Sequence, residues 1–368
     1  MLPLWLGGTI AFVYGTVVGS FLNVCIYRLP AEQSIVSPPS HCPKCNNKLR
    51  TADLVPLLSF LFLGRKCRYC GAPISWRYFC VELVTGLLFV AVYLNQGAFT
   101  IDFFVYVVFV SALVVAFLVD MDRLIIPDQA VMACVAAGIA GDVAHLVAGD
   151  AQFPQVTLSA GAELPMLPSV IGMVVCAGVF YLIAYIGYFA FRPRSNGEEP
   201  ASEQEQPEPA ATGLHLAGAW LLAVLFAVAA VFAAWVLGPA AGAVLLIGLV
   251  VYVAYFVLSP EPVAEGVEDG EAQEYEGAVG GGDINLAAGI GAVLGVGGAL
   301  VSFFVAIMLG AAVGVAYLIF KAIAQKRGLR WRTMLPFGPH MVTGAVLVIL
   351  ADTHLQAIWN AWSKWIAP

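Results

Sequence analysis

Residues 103–119, FFVYVVFVSALVVAFLV, form an uncharged apolar stretch that ends at Asp120 and is followed by MDRLIIPD. A helix that spans a lipid bilayer needs roughly 20 predominantly apolar residues, and this stretch approaches that length. The whole 368-residue chain shares its character, with 61% hydrophobic residues, 11% charged residues and a mean hydropathy of +0.87. This composition excludes a water-soluble globule and predicts a polytopic integral membrane protein.

Similar apolar stretches recur along the chain and predict an all-α fold with about ten transmembrane helices. The predicted spans are residues 5–25, 80–94, 103–119, 129–147, 170–191, 214–237, 240–258, 286–300, 303–320 and 341–350. The first span has no basic region before it and no small-residue cleavage site after it. We therefore expect it to be retained rather than removed as a signal peptide.

Positive charge is confined to one set of connections between these spans. The first loop holds eight of the 17 Lys and Arg residues: Arg28, Lys44, Lys48, Arg50, Arg65, Lys66, Arg68 and Arg77. Further Lys and Arg residues follow the third, fifth and ninth spans. Only Lys364, near the C-terminus, departs from this pattern. Because cytoplasmic loops are enriched in Lys and Arg, we expect the N-terminus outside and the first loop in the cytoplasm.

Negative charge is concentrated in two polar stretches, residues 198–208 and 261–276, which hold 12 of the 24 Asp and Glu residues. Their Glu, Gln, Pro, Ala and Gly content predicts solvated linkers and implies no nucleic-acid partner. The predicted spans 214–237 and 240–258 lie between them.

Four of the eight cysteines form two C-x-x-C pairs in the first loop, Cys42-Pro-Lys-Cys45 and Cys67-Arg-Tyr-Cys70. Each such turn directs two thiolates toward one point, so that two turns can hold one zinc ion tetrahedrally, and Gly71 relieves the second turn. Disulfides are the alternative interpretation. A cytoplasmic loop faces a reducing compartment, however, and this favours zinc.

Asp120 is the first candidate for catalysis. It lies at the end of a span, against the negative end of the helix dipole, where a carboxylate lowers stability. Two neighbours have simpler explanations, since Asp122 suits a cytoplasmic turn and Asp128 suits the first turn of the next helix.

Asp283 is the second candidate, because three glycines deliver it to the start of another span. Alternatively, these glycines are the flexible end of the acidic linker, which would have the same sequence. The predicted topology places Asp120 and Asp283 at the same cytoplasmic face. Paired carboxylates can activate a water molecule and protonate a leaving amine, which predicts peptide hydrolysis with Asp283 as base and Asp120 as acid.

The motifs together resemble the type IV prepilin peptidases, the prepilin leader peptidase/N-methyltransferase family of GxGD-type intramembrane aspartyl proteases. The resemblance rests on Gly19-Ser20-Phe21-Leu22-Asn23-Val24, Tyr27-Arg28-Leu29-Pro30, the four cysteines, Pro73-Ile74-Ser75-Trp76-Arg77-Tyr78 with Glu82, residues 120–128, Gly280 to Asp283, and Pro336-Phe337-Gly338-Pro339.

The resemblance implies that Asp120 and Asp283 are catalytic and that the protein lies in a bacterial inner membrane. It implies type IV prepilins or type II secretion pseudopilins as substrates. It also implies methylation of the new N-terminus with S-adenosylmethionine, which no glycine-rich nucleotide motif here supports. We associate the methyl-donor site only loosely with residues 19–28 and the cysteine loop.

Two features depart from the family pattern: Asn285 stands where a Lys is common, and a long insertion separates the aspartates. A transporter or channel with a cytoplasmic zinc-ribbon module is the main alternative function, since acidic residues in spans often mark ion paths. It predicts carboxylates near the middle of the bilayer. A membrane-anchored zinc-ribbon adaptor is a further alternative.

The expected organisation has five parts. Residues 1–30 form the first transmembrane helix, and 31–79 form the zinc-binding loop with a part in methyl transfer. The first aspartate belongs to a membrane core over 80–192, and the second to a core over 278–368. Residues 193–277 form the insertion, with its acidic linkers and two extra spans.

An insertion between two aspartates that share one membrane face must contain an even number of spans. We therefore expect that replacing residues 196–277 with a short Gly/Ser linker preserves prepilin cleavage to within about tenfold, or ~1.4 kcal/mol in transition-state stabilisation. A gel assay of leader removal measures this. A stable deletion protein that cleaves nothing would show that the insertion helps to build the active site.

Overall fold

The computed structural model describes residues 3–150, 155–157, 163–191, 280–325 and 337–351. These residues are helical apart from loops and two three-residue strands. The helices are α1 (Leu4–Arg28), α2 (Leu58–Phe62), α3 (Trp76–Gln96), α4 (Ile101–Arg123), α5 (Asp128–Ala148), α6 (Pro168–Phe191), α7 (Gly281–Gln325) and α8 (Gly338–Ala351). Strands β1 (Gln155–Thr157) and β2 (Glu163–Pro165) pair antiparallel between α5 and α6.

Six of the helices in the described ranges are long and apolar enough to cross a membrane, namely α1, α3, α4, α5, α6 and α7. The all-α membrane fold predicted from the sequence is thus confirmed. α8 is apolar but shorter, and it covers the predicted span 341–350. The predicted spans 214–237 and 240–258 lie outside the described residues, so the total of about ten stays a prediction.

Capping residues set the limits of the helices that carry the candidate site. The Ser75 hydroxyl accepts the backbone N–H of Arg77 at the start of α3, and the Thr100 hydroxyl accepts that of Phe103 at the start of α4. Gly97 ends α3 in the left-handed conformation, at φ 71°, which favours glycine. The short connection that results makes α3 and α4 adjacent.

Glycines bring α1 and α3 into close contact. A Cβ at Gly15 would lie 2.8 Å from the Cα of Gly86, and a Cβ at Gly19 would lie 2.8 Å from the Cα of Glu82. Small residues allow such approach between membrane helices, whose association depends on packing rather than on the hydrophobic effect. The two glycine contacts also fix the register of α1 against α3.

The long helix α7 is interrupted at Gly295, where φ is 64° and ψ is 179°. Before this residue α7 runs in the same direction as α5. A Cβ at Gly289 would lie 3.0 Å from the Cβ of Cys134, and one at Gly138 would lie 2.3 Å from the backbone oxygen of Ala292.

After Gly295, α7 runs antiparallel to α8. A Cβ at Gly298 would lie 3.6 Å from Val348, whereas one at Gly310 would lie 3.6 Å from His340. Since α5 and α8 both begin beside Ile126, the chain reverses at Gly295. The two spans predicted over 286–300 and 303–320 are therefore divided at Gly295, which is earlier in the chain than expected. Glycine readily adopts the backbone conformation that this reversal requires.

We expect Gly15→Leu to destabilise the helix pair, because the added side chain would meet the backbone of Gly86. Overpacking of this kind costs about 1–3 kcal/mol. Thermal unfolding of the detergent-solubilised protein should show a lower midpoint. Gly8→Leu is the matched control on the same helix, since no atom lies within 4 Å of its Cβ position. Equal midpoints for the two variants would contradict the close packing of α1 on α3.

Candidate functional site

Asp120 lies in the last turn of α4 and is only 6% exposed. The backbone N–H of Gly338, at the start of α8, faces its carboxyl group, and a Cβ at Gly338 would lie 2.5 Å from Oδ2. Only glycine fits at this contact. Within the described part of the chain, Asp120 Oδ2 has no hydrogen-bond partner. The Asp120 carboxyl group is thus buried where the end of α4 meets the start of α8.

The backbone after Asp120 leaves the helix sharply. Leu124 adopts a left-handed conformation, with φ 56°, and its N–H donates to the Asp120 carbonyl oxygen at 2.9 Å. Such a conformation is unfavourable for leucine and is maintained by the surrounding structure. The chain thereby turns from α4 directly into α5.

Asp283 lies in the first turn of α7 and is half-buried. Its N–H donates to the Gly280 carbonyl oxygen at 3.1 Å. A Cβ at Gly280 would lie 3.6 Å from Asp283 Oδ2, and one at Gly282 would lie 3.3 Å from Ile126. The glycine motif thus brings the start of α7 close to the α4–α5 connection.

Ile126 joins the two aspartate segments, because it contacts both Gly282 and Gly338. The charge of Asp283 lies within electrostatic range of Asp120. The structure therefore brings together the ends of α4, α7 and α8, and with them both aspartates that were predicted from the sequence. The arrangement offers two carboxyl groups at helix ends.

Two further acidic residues lie beside this site but take other contacts. Asp122 Oδ2 lies 2.5 Å from Arg77 Nη2, and this ion pair joins the start of α3 to the end of α4. Asp128 is exposed, and its Oδ1 accepts a hydrogen bond from Asn285 Nδ2 at 3.4 Å. Asn285, the departure from the family pattern, therefore contacts an acidic residue at the start of α5.

The four cysteines of the first loop meet at one point, with their sulfur atoms within 4.8 Å of one another. The Cys42 and Cys70 sulfurs are 3.9 Å apart, too far for a disulfide, and all four thiols are free. A closed set of four thiolates fits a structural zinc ion.

The two cysteine turns have the same backbone pattern. The N–H of Asn46 donates to the carbonyl oxygen of Cys42, and the N–H of Gly71 donates to the carbonyl oxygen of Cys67. Asn46 and Gly71 also share the left-handed conformation, at φ 55° and 70°. Gly71 was predicted to relieve its turn, whereas asparagine takes the equivalent place in the first turn.

Asp53 organises the interior of the cysteine loop, which the sequence analysis did not foresee. It accepts hydrogen bonds from Arg68 Nε at 2.7 Å, the Tyr69 hydroxyl at 3.1 Å and the Arg50 backbone at 3.2 Å. Burial raises the pKa of Asp53, but these hydrogen bonds outweigh it and hold the pKa below its usual value. The Asp53 carboxylate therefore links the middle of the loop to its second cysteine turn.

Buried polar residues of the N-terminal motifs join α1 to α3 and tie the loop to both helices. Asn23 Nδ2 donates to the Tyr78 carbonyl oxygen, Arg28 donates to Ser34 and Pro38, and Glu82 accepts the Leu57 N–H. These groups are thus engaged with the chain's own backbone. Among the described residues they do not form an open donor set suited to S-adenosylmethionine.

His340 was also missed by sequence reasoning. It is buried in α8, two residues after Gly338, and its ring stacks on Phe337 with the centroids 6.5 Å apart. Its position directly after the Pro-Phe-Gly-Pro motif was the signal that could have identified it.

These features define a class of multi-pass helical membrane proteins with two aspartates at neighbouring helix ends and a four-cysteine module. A family model described as the bacterial peptidase A24 N-terminal domain matches residues 13–96. Prepilin leader peptidase/N-methyltransferases from Myxococcus xanthus and Bacillus subtilis are 48% and 40% identical over 35% and 33% of this chain. These matches cover 38% and 48% of the two relatives' own lengths.

A third relative covers more of the chain. The type 4 prepilin-like proteins leader peptide-processing enzyme of Escherichia coli O78:H11 is 33% identical over 209 residues, which are 51% of this chain and 71% of that protein. The chain belongs to the prepilin leader peptidase/N-methyltransferase family. This membership favours the peptidase interpretation over a transporter or channel. No solved structure matches the chain.

We expect one zinc ion per chain at the four cysteines. Metal analysis of the purified protein measures it, and Cys67→Ser with Cys70→Ser should remove the metal because two ligands cannot complete the tetrahedral site. Cys80→Ser is the control, since Cys80 is exposed on α3 and outside the cluster. Zinc that persists in the double variant would contradict this assignment.

Proposed function

We propose that this protein is a prepilin peptidase, which cleaves the leader of type IV prepilins or type II secretion pseudopilins at the cytoplasmic membrane face. The observation that carries the proposal is the meeting of Asp120 and Asp283 at the ends of two membrane helices, with Asp120 enclosed by Gly338. Three relatives bear names of this activity, which supports the same substrate class.

The reaction requires one protonated and one ionised carboxyl group. Two carboxyl groups that interact share one proton, because simultaneous ionisation is unfavourable. Asp283, at the positive N-terminal end of α7, is suited to the anionic form that takes a proton from the attacking water. Asp120, near the C-terminal end of α4, is suited to the protonated form, which polarises the scissile carbonyl and assists departure of the amine.

The proposed topology places this chemistry in the cytoplasm. The N-terminus lies outside, and α1 carries the chain inward to Arg28 and the cysteine loop. The chain is a multi-pass protein of the bacterial inner membrane. Its zinc module, residues 31–79, is structural. N-methylation of the new N-terminus, for which S-adenosylmethionine would supply the methyl group, is supported by the names of the relatives and not by these residues.

The cores over 80–192 and 278–368 each supply one aspartate in this proposal, and residues 193–277 are an insertion. The ion pair of Arg77 with Asp122 holds the start of α3 beside the end of α4.

Asp120→Asn and Asp283→Asn should each reduce cleavage by several orders of magnitude, because each removes a titrating proton while preserving size. Leader removal from a purified prepilin, followed as a shift on a gel, is the measurement. Asp128→Asn is the control, since Asp128 is exposed and the same change of side chain is made there. We expect milder effects there and at Asp122→Asn. Near-normal cleavage by an Asp120→Asn protein at normal membrane levels would refute the assignment.

A further inference from the structure

The cysteine loop contains an apolar segment, residues 54–63, with the sequence LVPLLSFLFL. It is too short to span a bilayer and contains no charge. It includes α2, whose Leu58, Leu61 and Phe62 side chains are 52%, 59% and 86% exposed. Contiguous exposed apolar side chains on a small module indicate a contact surface.

One face of α2 is already occupied by α3. Phe60 is buried, and its ring centroid lies 5.1 Å from that of Trp76 and 5.2 Å from that of Phe79. The exposed side chains of the apolar segment therefore belong to the face that points away from the protein.

The position of the apolar segment along the membrane helices follows from a hydrogen bond. The Leu57 N–H donates to Glu82 Oε2 at 2.8 Å, and Glu82 lies in the second turn of α3. At a rise of 1.5 Å per residue, Glu82 is about 9 Å beyond the helix start at Trp76. The segment is thus level with the spans and does not project beyond their ends.

The register of α1 gives the same depth. Gly19 packs directly on Glu82, and α1 continues from Gly19 to Arg28, which is about 14 Å of helix at 1.5 Å per residue. At this depth the outer face of α1 and α3 lies within the length of two helices that are apolar enough to cross a membrane.

Charge next to the apolar segment fits the same surface. Arg65, Lys66 and Arg68 follow it at once, and the Arg65 guanidinium lies 4.8 Å from the ring centroid of Trp76. Basic residues are attracted to anionic headgroups of the cytoplasmic leaflet, and tryptophan is enriched at the membrane interface.

We propose that residues 54–63 insert into the cytoplasmic leaflet and contact acyl chains, so that the zinc module is seated on the bilayer through Leu58, Leu61 and Phe62. Glu82 sets the depth of insertion through Leu57. The basic residues that follow lie among the anionic headgroups. This lipid contact is independent of the chemistry at Asp120 and Asp283.

The test uses the full chain with a fluorescent noncanonical amino acid at position 62, reconstituted into nanodiscs of phosphatidylethanolamine and phosphatidylglycerol. Bromine-labelled acyl chains should quench it, whereas aqueous iodide should not. The same probe at Leu87, an exposed position within α3, is the lipid-facing reference. Lys44, exposed in the first cysteine turn, is the aqueous reference.

We expect position 62 to reach at least about half of the lipid quenching seen at position 87, and position 44 to respond only to iodide. Iodide quenching at position 62 equal to that at position 44 would overturn the proposal. So would lipid shielding that appears only after addition of a prepilin, or only in nanodiscs with two chains, since the surface would then be a docking site for protein.

Discussion

The close contact between Gly338 and the Asp120 carboxyl group is the constraint on which the candidate site depends. It places the start of α8 against the end of α4 and leaves one buried oxygen without a protein partner in the described ranges. A side chain larger than that of glycine at position 338 would press on the Asp120 carboxyl group. The site is therefore formed by three helix ends that are distant in the sequence.

The reversal of α7 at Gly295 makes this convergence possible. The part before Gly295 follows α5 and the part after it follows α8, so one helical run contacts both partners of the site. Between them, Ile126 provides a shared apolar contact for Gly282 and Gly338. These close approaches matter because helices in lipid associate through packing.

Local patterns explain what could be predicted from the sequence. The first five spans were visible in hydropathy, and the cysteine cluster in its spacing, because both depend on neighbouring residues. Asp120 stood out because a carboxylate is unfavourable at a helix C-terminus. Gly295 was hidden, since glycines are scattered throughout this apolar region and only one adopts the reversed conformation.

Contacts between distant residues could not be predicted in the same way. Asp53 looks like an ordinary charge in the sequence, yet it accepts three hydrogen bonds within the cysteine loop. Glu82 was noted only as part of a motif, and the structure shows that it accepts the Leu57 N–H from this loop. Their roles depend on which backbone groups the folded chain brings near them. The ion pair between Arg77 and Asp122 likewise joins two motifs that the sequence shows only as separate.

The part of α7 before Gly295 is short. Residues 281–294 form about 21 Å of helix, whereas the hydrocarbon layer of a typical bilayer is about 30 Å thick. Such hydrophobic mismatch is accommodated by thinning of the surrounding lipid or by helix tilt, at a cost of fractions of a kcal/mol per Å. Asp283 lies at the start of this short helix. The acyl-chain length of the host membrane, which sets the thickness of the bilayer, therefore influences the position of Asp283.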